Sequence, residues 1–111
     1  MSAITMYRGD SYPIIFTIRN KKTGEIIDLS GTSLKLTVDR KSNPTTEATK
    51  VFSCNGIIDT TIPATGKVTF TPSSSNTSVV GSFYYDIQMT NGSTVRTIEK
   101  DTFTISQDIT K

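Results

Sequence analysis

Phe83-Tyr84-Tyr85-Asp86-Ile87-Gln88-Met89, closed by Asn91-Gly92, is the stretch that decides the fold. Phe83, Tyr85, Ile87 and Met89 fall at every second position against Tyr84, Asp86 and Gln88, the period of an extended strand with one face turned inward. Tyr84 is expected on the outer face. Asn-Gly favours a tight reversal, so a second strand is expected through Val95 to Ile98, and Phe103 and Ile105 alternate in a last one.

The same period recurs upstream. Val68 and Phe70 share a face after the Ala64-Thr65-Gly66 turn, and Pro72 ends that strand; Ser73 to Ser78 is a polar connection with room for one helical turn. Leu34, Leu36 and Val38 alternate against Lys35, Thr37 and Asp39, which predicts a strand with one wet face. Tyr12, Ile14, Phe16 and Ile18 oppose Pro13, Ile15, Thr17 and Arg19; Pro13 has no N–H to give a ladder and puts the strand start at an edge or before pairing begins. Asn20 to Gly24 reads as a turn into Glu25-Ile26-Ile27, a hairpin. Val51-Phe52 and Ile57-Ile58 centre two weaker strands, with Asn55-Gly56 between them read as another hairpin turn, and Arg40 to Thr46 is a polar loop.

Seven to nine short strands at about ten-residue spacing, with no helical period, predict an all-β, immunoglobulin-like antiparallel β-sandwich. The 111 residues match one domain spanning 1–111. Composition agrees: about a third of the residues are Ile, Val or Thr, stiff at χ1 and suited to a pleated surface. Ser and Thr make roughly thirty per cent of the chain, a hydroxylated rather than charged exterior.

Twelve basic and ten acidic residues leave a net charge of +2, which gives no electrostatic argument for a nucleic-acid or membrane partner. No apolar run approaches the length of a membrane span and no leader pattern opens the chain, so a soluble protein that is not exported is expected. With no histidine and a single cysteine, Cys54, histidine bases, histidine metal sites, Cys-His pairs and internal disulfides are excluded. The aspartates are scattered singly rather than spaced as a cation loop, and no Ser-x-x-Lys or Gly-x-Ser-x-Gly context is present. No enzymatic activity, cofactor or metal is therefore expected. Arg8-Gly9-Asp10 matches a cell-adhesion tripeptide but reads better as a turn before the first long strand.

Arg8-Gly9-Asp10, Thr23-Gly24 with Asp28-Leu29-Ser30-Gly31, Thr65-Gly66-Lys67-Val68 leading to Phe70, Gly81 to Ile87, and Phe103-Thr104-Ile105 before Asp108-Ile109-Thr110 run in order over nearly the whole chain. In that order they resemble the immunoglobulin-like domain at the N-terminus of phage baseplate upper proteins and in related small phage tail and capsid proteins. The resemblance implies a virion structural protein, a tail or baseplate adaptor or a head-surface component, present in multiple copies among other virion proteins, with a homo-oligomer among the assemblies it allows. An adaptor whose chain stops with the domain is not expected to carry a receptor-binding head itself. In such a protein, sheet edges and terminal segments such as Met1 to Tyr7 or Gln107 to Lys111 are expected to reach neighbouring subunits. Tyr7, Tyr12, Tyr84 and Arg96 are the candidate contact residues, beside their reading as ordinary exposed strand residues. The alternative is a module binding host-surface carbohydrate on exposed tyrosines, and a third reading is a fragment of a carbohydrate-active enzyme or peptidase.

Overall fold

The computed structural model describes residues 3–20, 22–60 and 65–109. Among them eight strands are formed: β1 (Ile4–Tyr7), β2 (Ile14–Thr17), β3 (Ser33–Asp39), β4 (Lys50–Asn55), β5 (Ile57–Ile58), β6 (Lys67–Phe70), β7 (Gly81–Asn91) and β8 (Thr94–Ser106). A single 3-10 turn, Glu47–Thr49, precedes β4. The strands make two layers, a five-stranded sheet in the order β1-β8-β7-β3-β4 and a three-stranded sheet in the order β2-β6-β5. The expected β-sandwich is thus observed, with one change. β1 runs parallel to β8, pairing Ile4 with Phe103 and Met6 with Ile105, so the large sheet is mixed rather than purely antiparallel.

Alternation explains the core. Leu34, Leu36 and Val38 of β3, Phe83, Tyr85 and Ile87 of β7, and Phe103 and Ile105 of β8 are all buried on the inner face of the large sheet. Val68 and Phe70 of β6 meet them from the small sheet, with Ile18 and Leu29 beside them. The Phe16 ring lies 6.1 Å from Phe70 in its own sheet and 6.2 Å from Tyr85 in the other, so aromatic contacts cross between the layers. Each such buried side chain contributes about 1.5–3 kcal/mol over its exposed state.

Four expectations are corrected. Asn55-Gly56 is not a hairpin turn, because β4 pairs with β3 in the large sheet while β5 pairs with β6 in the small one. The chain changes layers there: Gly56 N–H donates to Leu34 O at 2.8 Å, and a Cβ on Gly56 would lie 2.5 Å from Val68 Cγ2. Only glycine passes so close to the core. Met1 to Tyr7 is not a free arm, since Ile4 to Tyr7 are β1 and Ile4 and Met6 are buried against β8; Met1 and Ser2, like Thr110 and Lys111 at the other end, lie outside the described residues. The strands expected at Val95–Ile98 and Phe103–Ile105 are one strand, β8, whose register against β7 shifts by one residue between Ile87 and Gln88. That bulge absorbs the break in alternation that made one strand look like two. The β7–β8 turn itself consists of Gly92 and Ser93, with Asn91 paired to Thr94 and Gly92 at φ 61°, the arrangement of a II′ reversal. Finally, Asp39 on the supposedly wet face of β3 is only 7% exposed.

Other local readings hold. β2 starts at Ile14, directly after Pro13. The Asn20–Gly24 turn closes through Gly24 N–H to Asn20 O at 2.7 Å, and Arg19 bridges Ile26 across it. Between Ser73 and Ser78 the chain makes one helix-like turn, with the N–H groups of Asn76 and Thr77 both donating to Ser73 O. Among the described residues no helix is long and apolar enough to cross a membrane.

Candidate interaction surface

Register places the outward side chains of the large sheet in rows. Thr37, Asp86 and Lys100 form one row across β3, β7 and β8, and Asp39, Tyr84 and Thr102 form the next. The segment from Arg40 to Thr46 leaves the end of β3, where Asp39 is buried, and Lys41 to Thr45 face these rows. Asp39 Oδ1 accepts the Lys41 N–H at 2.9 Å and the Thr49 hydroxyl at 2.7 Å, pinning both ends of the segment to one carboxylate. Burial alone would raise the pKa of Asp39. The Lys41 N–H, the Thr49 hydroxyl, the Arg40 N–H and the Lys41 charge together outweigh it and hold the carboxyl below its ordinary value.

Between this segment and the sheet lies an open groove of about 500 Å³. Tyr84, Asp86 and Gln88 from β7, Lys100 from β8 and Asn43 from the overhanging segment line it, and Lys100 Nζ donates to Asn43 Oδ1 at 3.5 Å. Asp86 is half-buried there; desolvation pushes its carboxyl above the usual value, and the Lys100 ammonium offsets part of that.

The four residues singled out in the sequence are not brought together. Tyr84 is on the outer face, as expected, at the groove. Tyr7 ends β1, exposed, with its N–H held by Asp10 Oδ2 at 3.1 Å. Tyr12 lies before β2 and donates its hydroxyl to Thr5 O at 3.2 Å, so it leans on the β1 edge instead of extending the buried face of β2. Arg96 pairs with Met89 and therefore stands on the opposite side of the large sheet from Tyr84. It borders a second groove, of about 550 Å³, with Arg19, Ile27, Met89 and Glu99. Arg8-Gly9-Asp10 is the turn the sequence suggested. The Arg8 guanidinium is paired with Asp108 at 3.2 Å, and the Thr77 hydroxyl donates to Asp10 O at 2.8 Å, which docks the turn on the molecule.

Two features escaped the sequence. Nothing in the linear pattern shows that the polar 40–46 segment folds back on the sheet, so Asp86 and Lys100 read as ordinary outward residues. A second feature left a trace: Ile15 falls on the outward side of its strand. In the small sheet Ile15 and Ile57 both pair with Thr69, forming one row on its outer face, exposed by 61% and 73%. Cys54 is half-buried and its thiol is pushed up by burial, away from the reactive thiolate. Among the described residues no group of three or more Cys, Asp or Glu is placed to hold a metal ion.

No protein-family model matches the chain, and no curated protein matches it.

Proposed function

We propose that this chain is a non-enzymatic structural component of a bacteriophage particle, an immunoglobulin-like domain of the tail, baseplate or head surface that acts through protein–protein contacts. One observation supports the reading: most segments of the resemblance fall on turns or core strands of the sandwich. Arg8-Gly9-Asp10 is the turn after β1, Leu29 to Thr32 close the reversal that enters β3, Thr65-Gly66 opens β6, Gly81 to Ile87 lie in β7, and Phe103 to Ile105 bury in β8. That placement is what supports taking the segments together.

The surface suits assembly. The exposed Ile15–Thr69–Ile57 row offers apolar area to a neighbour. Repetition on a symmetric particle makes weak contacts of this kind sufficient, because copies held on one lattice gain avidity. Mass spectrometry of purified particles is the test. The chain is expected among the virion proteins, in the hundreds of copies for a head-surface component and in the tens or fewer for a baseplate part; its absence from washed particles overturns the proposal.

A further inference from the structure

The groove over the outer face of the large sheet has a lining that the assembly role does not require. We infer that it binds a neutral oligosaccharide. Its charges cancel, the carboxylates of Asp39 and Asp86 standing against the ammonium groups of Lys41 and Lys100, so the site has no field that selects an anion or a cation. What remains is hydrogen-bonding capacity of both kinds. Asp86 supplies acceptor oxygens, Lys100 supplies donors, and the amides of Asn43 and Gln88 supply both, which is the complement of neighbouring sugar hydroxyls that donate and accept together. Tyr84, 39% exposed in the same groove, adds an aromatic surface whose electron-rich face suits the C–H groups on the apolar side of a pyranose ring. At about 500 Å³ the groove is within the size range of small-ligand sites, and it is open to solvent.

The site is also held in shape. Asp39 ties Lys41 and Thr49 to the sheet on one side, and Lys100 reaches Asn43 on the other, contacts that tether the overhanging segment. Half-burial raises the cost of leaving the Asp86 carboxylate without a hydroxyl partner, and a bound sugar relieves that cost.

Titration of the ¹⁵N-labelled full chain with maltohexaose, cellohexaose, chitohexaose and a rhamnose hexamer, followed by amide shifts, tests the inference, with a galacturonate hexamer as the charged comparison. At least one neutral probe is expected to shift residues 39–45, 84–88 and 100 saturably. Tyr84→Ala and Asp86→Ala should each weaken that probe by about tenfold while keeping a dispersed spectrum, and Arg96→Ala, on the opposite side of the sheet, should not. The inference is overturned by any of three results: no neutral probe moves the groove, both groove variants bind like the parent chain, or the galacturonate binds most tightly. None of these outcomes bears on whether the chain is found in virions, so the two proposals fail separately.

Discussion

A methyl group added at Gly56 would sit 2.5 Å from Val68 Cγ2 and 2.9 Å from Phe70 Cε1, both in the buried face of β6. Gly56→Ala is therefore expected to destabilise by about 1–3 kcal/mol, the usual cost of overpacking a dense core, measured by denaturant titration. Gly66 and Gly24 make an internal comparison. Both have left-handed backbones, φ 68° and 75°, but a Cβ at Gly66 meets Ile18 O at 2.8 Å whereas one at Gly24 meets nothing within 4 Å. Gly24→Ala should cost only the conformational term of about 1–2 kcal/mol, and Gly66→Ala more; equal losses would show that the close approach is relieved at no cost. The two aspartates of the groove give opposite pH behaviour. Asp39 has a lowered pKa in the folded state, so its contribution is present above the unfolded value of 3.8 and is lost as pH falls below it. Asp86 has a raised one, so it opposes folding at neutral pH, and stability is regained as pH falls from its folded pKa toward 3.8. Asp39→Asn is expected to lower the melting temperature at pH 7, while Asp86→Asn should leave it unchanged or raise it; the reverse order would contradict the environments described.

The elements show which parts of the sequence speak locally and which do not. β3, β6 and β7 were legible because each carries a strict alternation whose inward side chains bury against another layer, and the pattern alone states which face that is. β1 was not legible: four residues, Ile4–Tyr7, contain only two periods, and what makes them a strand is a partner about a hundred positions away in β8. The Asn55-Gly56 pair misled for a related reason. The local preference for a two-residue turn is outweighed by the pairings of Phe52 with Val38 and Ile58 with Val68, which lie in different sheets. Of the groove, Tyr84 was legible from its parity; Asp86 and Lys100 were not, because their meeting depends on cross-strand register and on a loop. β8 is also uneven along its length. Thr94 to Thr97 are all exposed, while Phe103 and Ile105 are buried between β1 and β7. Amide exchange is expected to be fast in the first of these stretches and to approach the global unfolding limit in the second; uniform protection along β8 would refute this picture. A chain beginning at Arg8 would lose the burial of Ile4 and Met6, about 3–6 kcal/mol for two core side chains, and would uncover the β8 edge.

The two sheets have one core between them. From the small sheet, Phe16 touches both Phe70 and Tyr85; Tyr85 lies 6.3 Å from Phe103, and Phe103 lies 5.7 Å from Phe52 at the far side of the large sheet. Rings from both layers thus form a continuous path through the interior, the core that the two sheets share. The small sheet, with a two-residue strand at one edge, is too short to persist alone. Unfolding is therefore expected to be a single cooperative transition. Because the chain lacks tryptophan, intrinsic fluorescence comes from Tyr7, Tyr12, Tyr84 and Tyr85, three of them in strands of the large sheet, whereas far-ultraviolet circular dichroism reports both sheets. The two probes should give superimposable curves. Phe16→Ala removes the ring that joins the layers, and since Phe16 is only half-buried the expected loss is about 2–4 kcal/mol, at or below the range for a core phenylalanine. The decisive feature is the shape of the transition. If the layers are one unit, the variant unfolds in one step at lower denaturant by both probes; if the dichroism curve moves ahead of the fluorescence curve, the small sheet has come away by itself and the shared-core description fails.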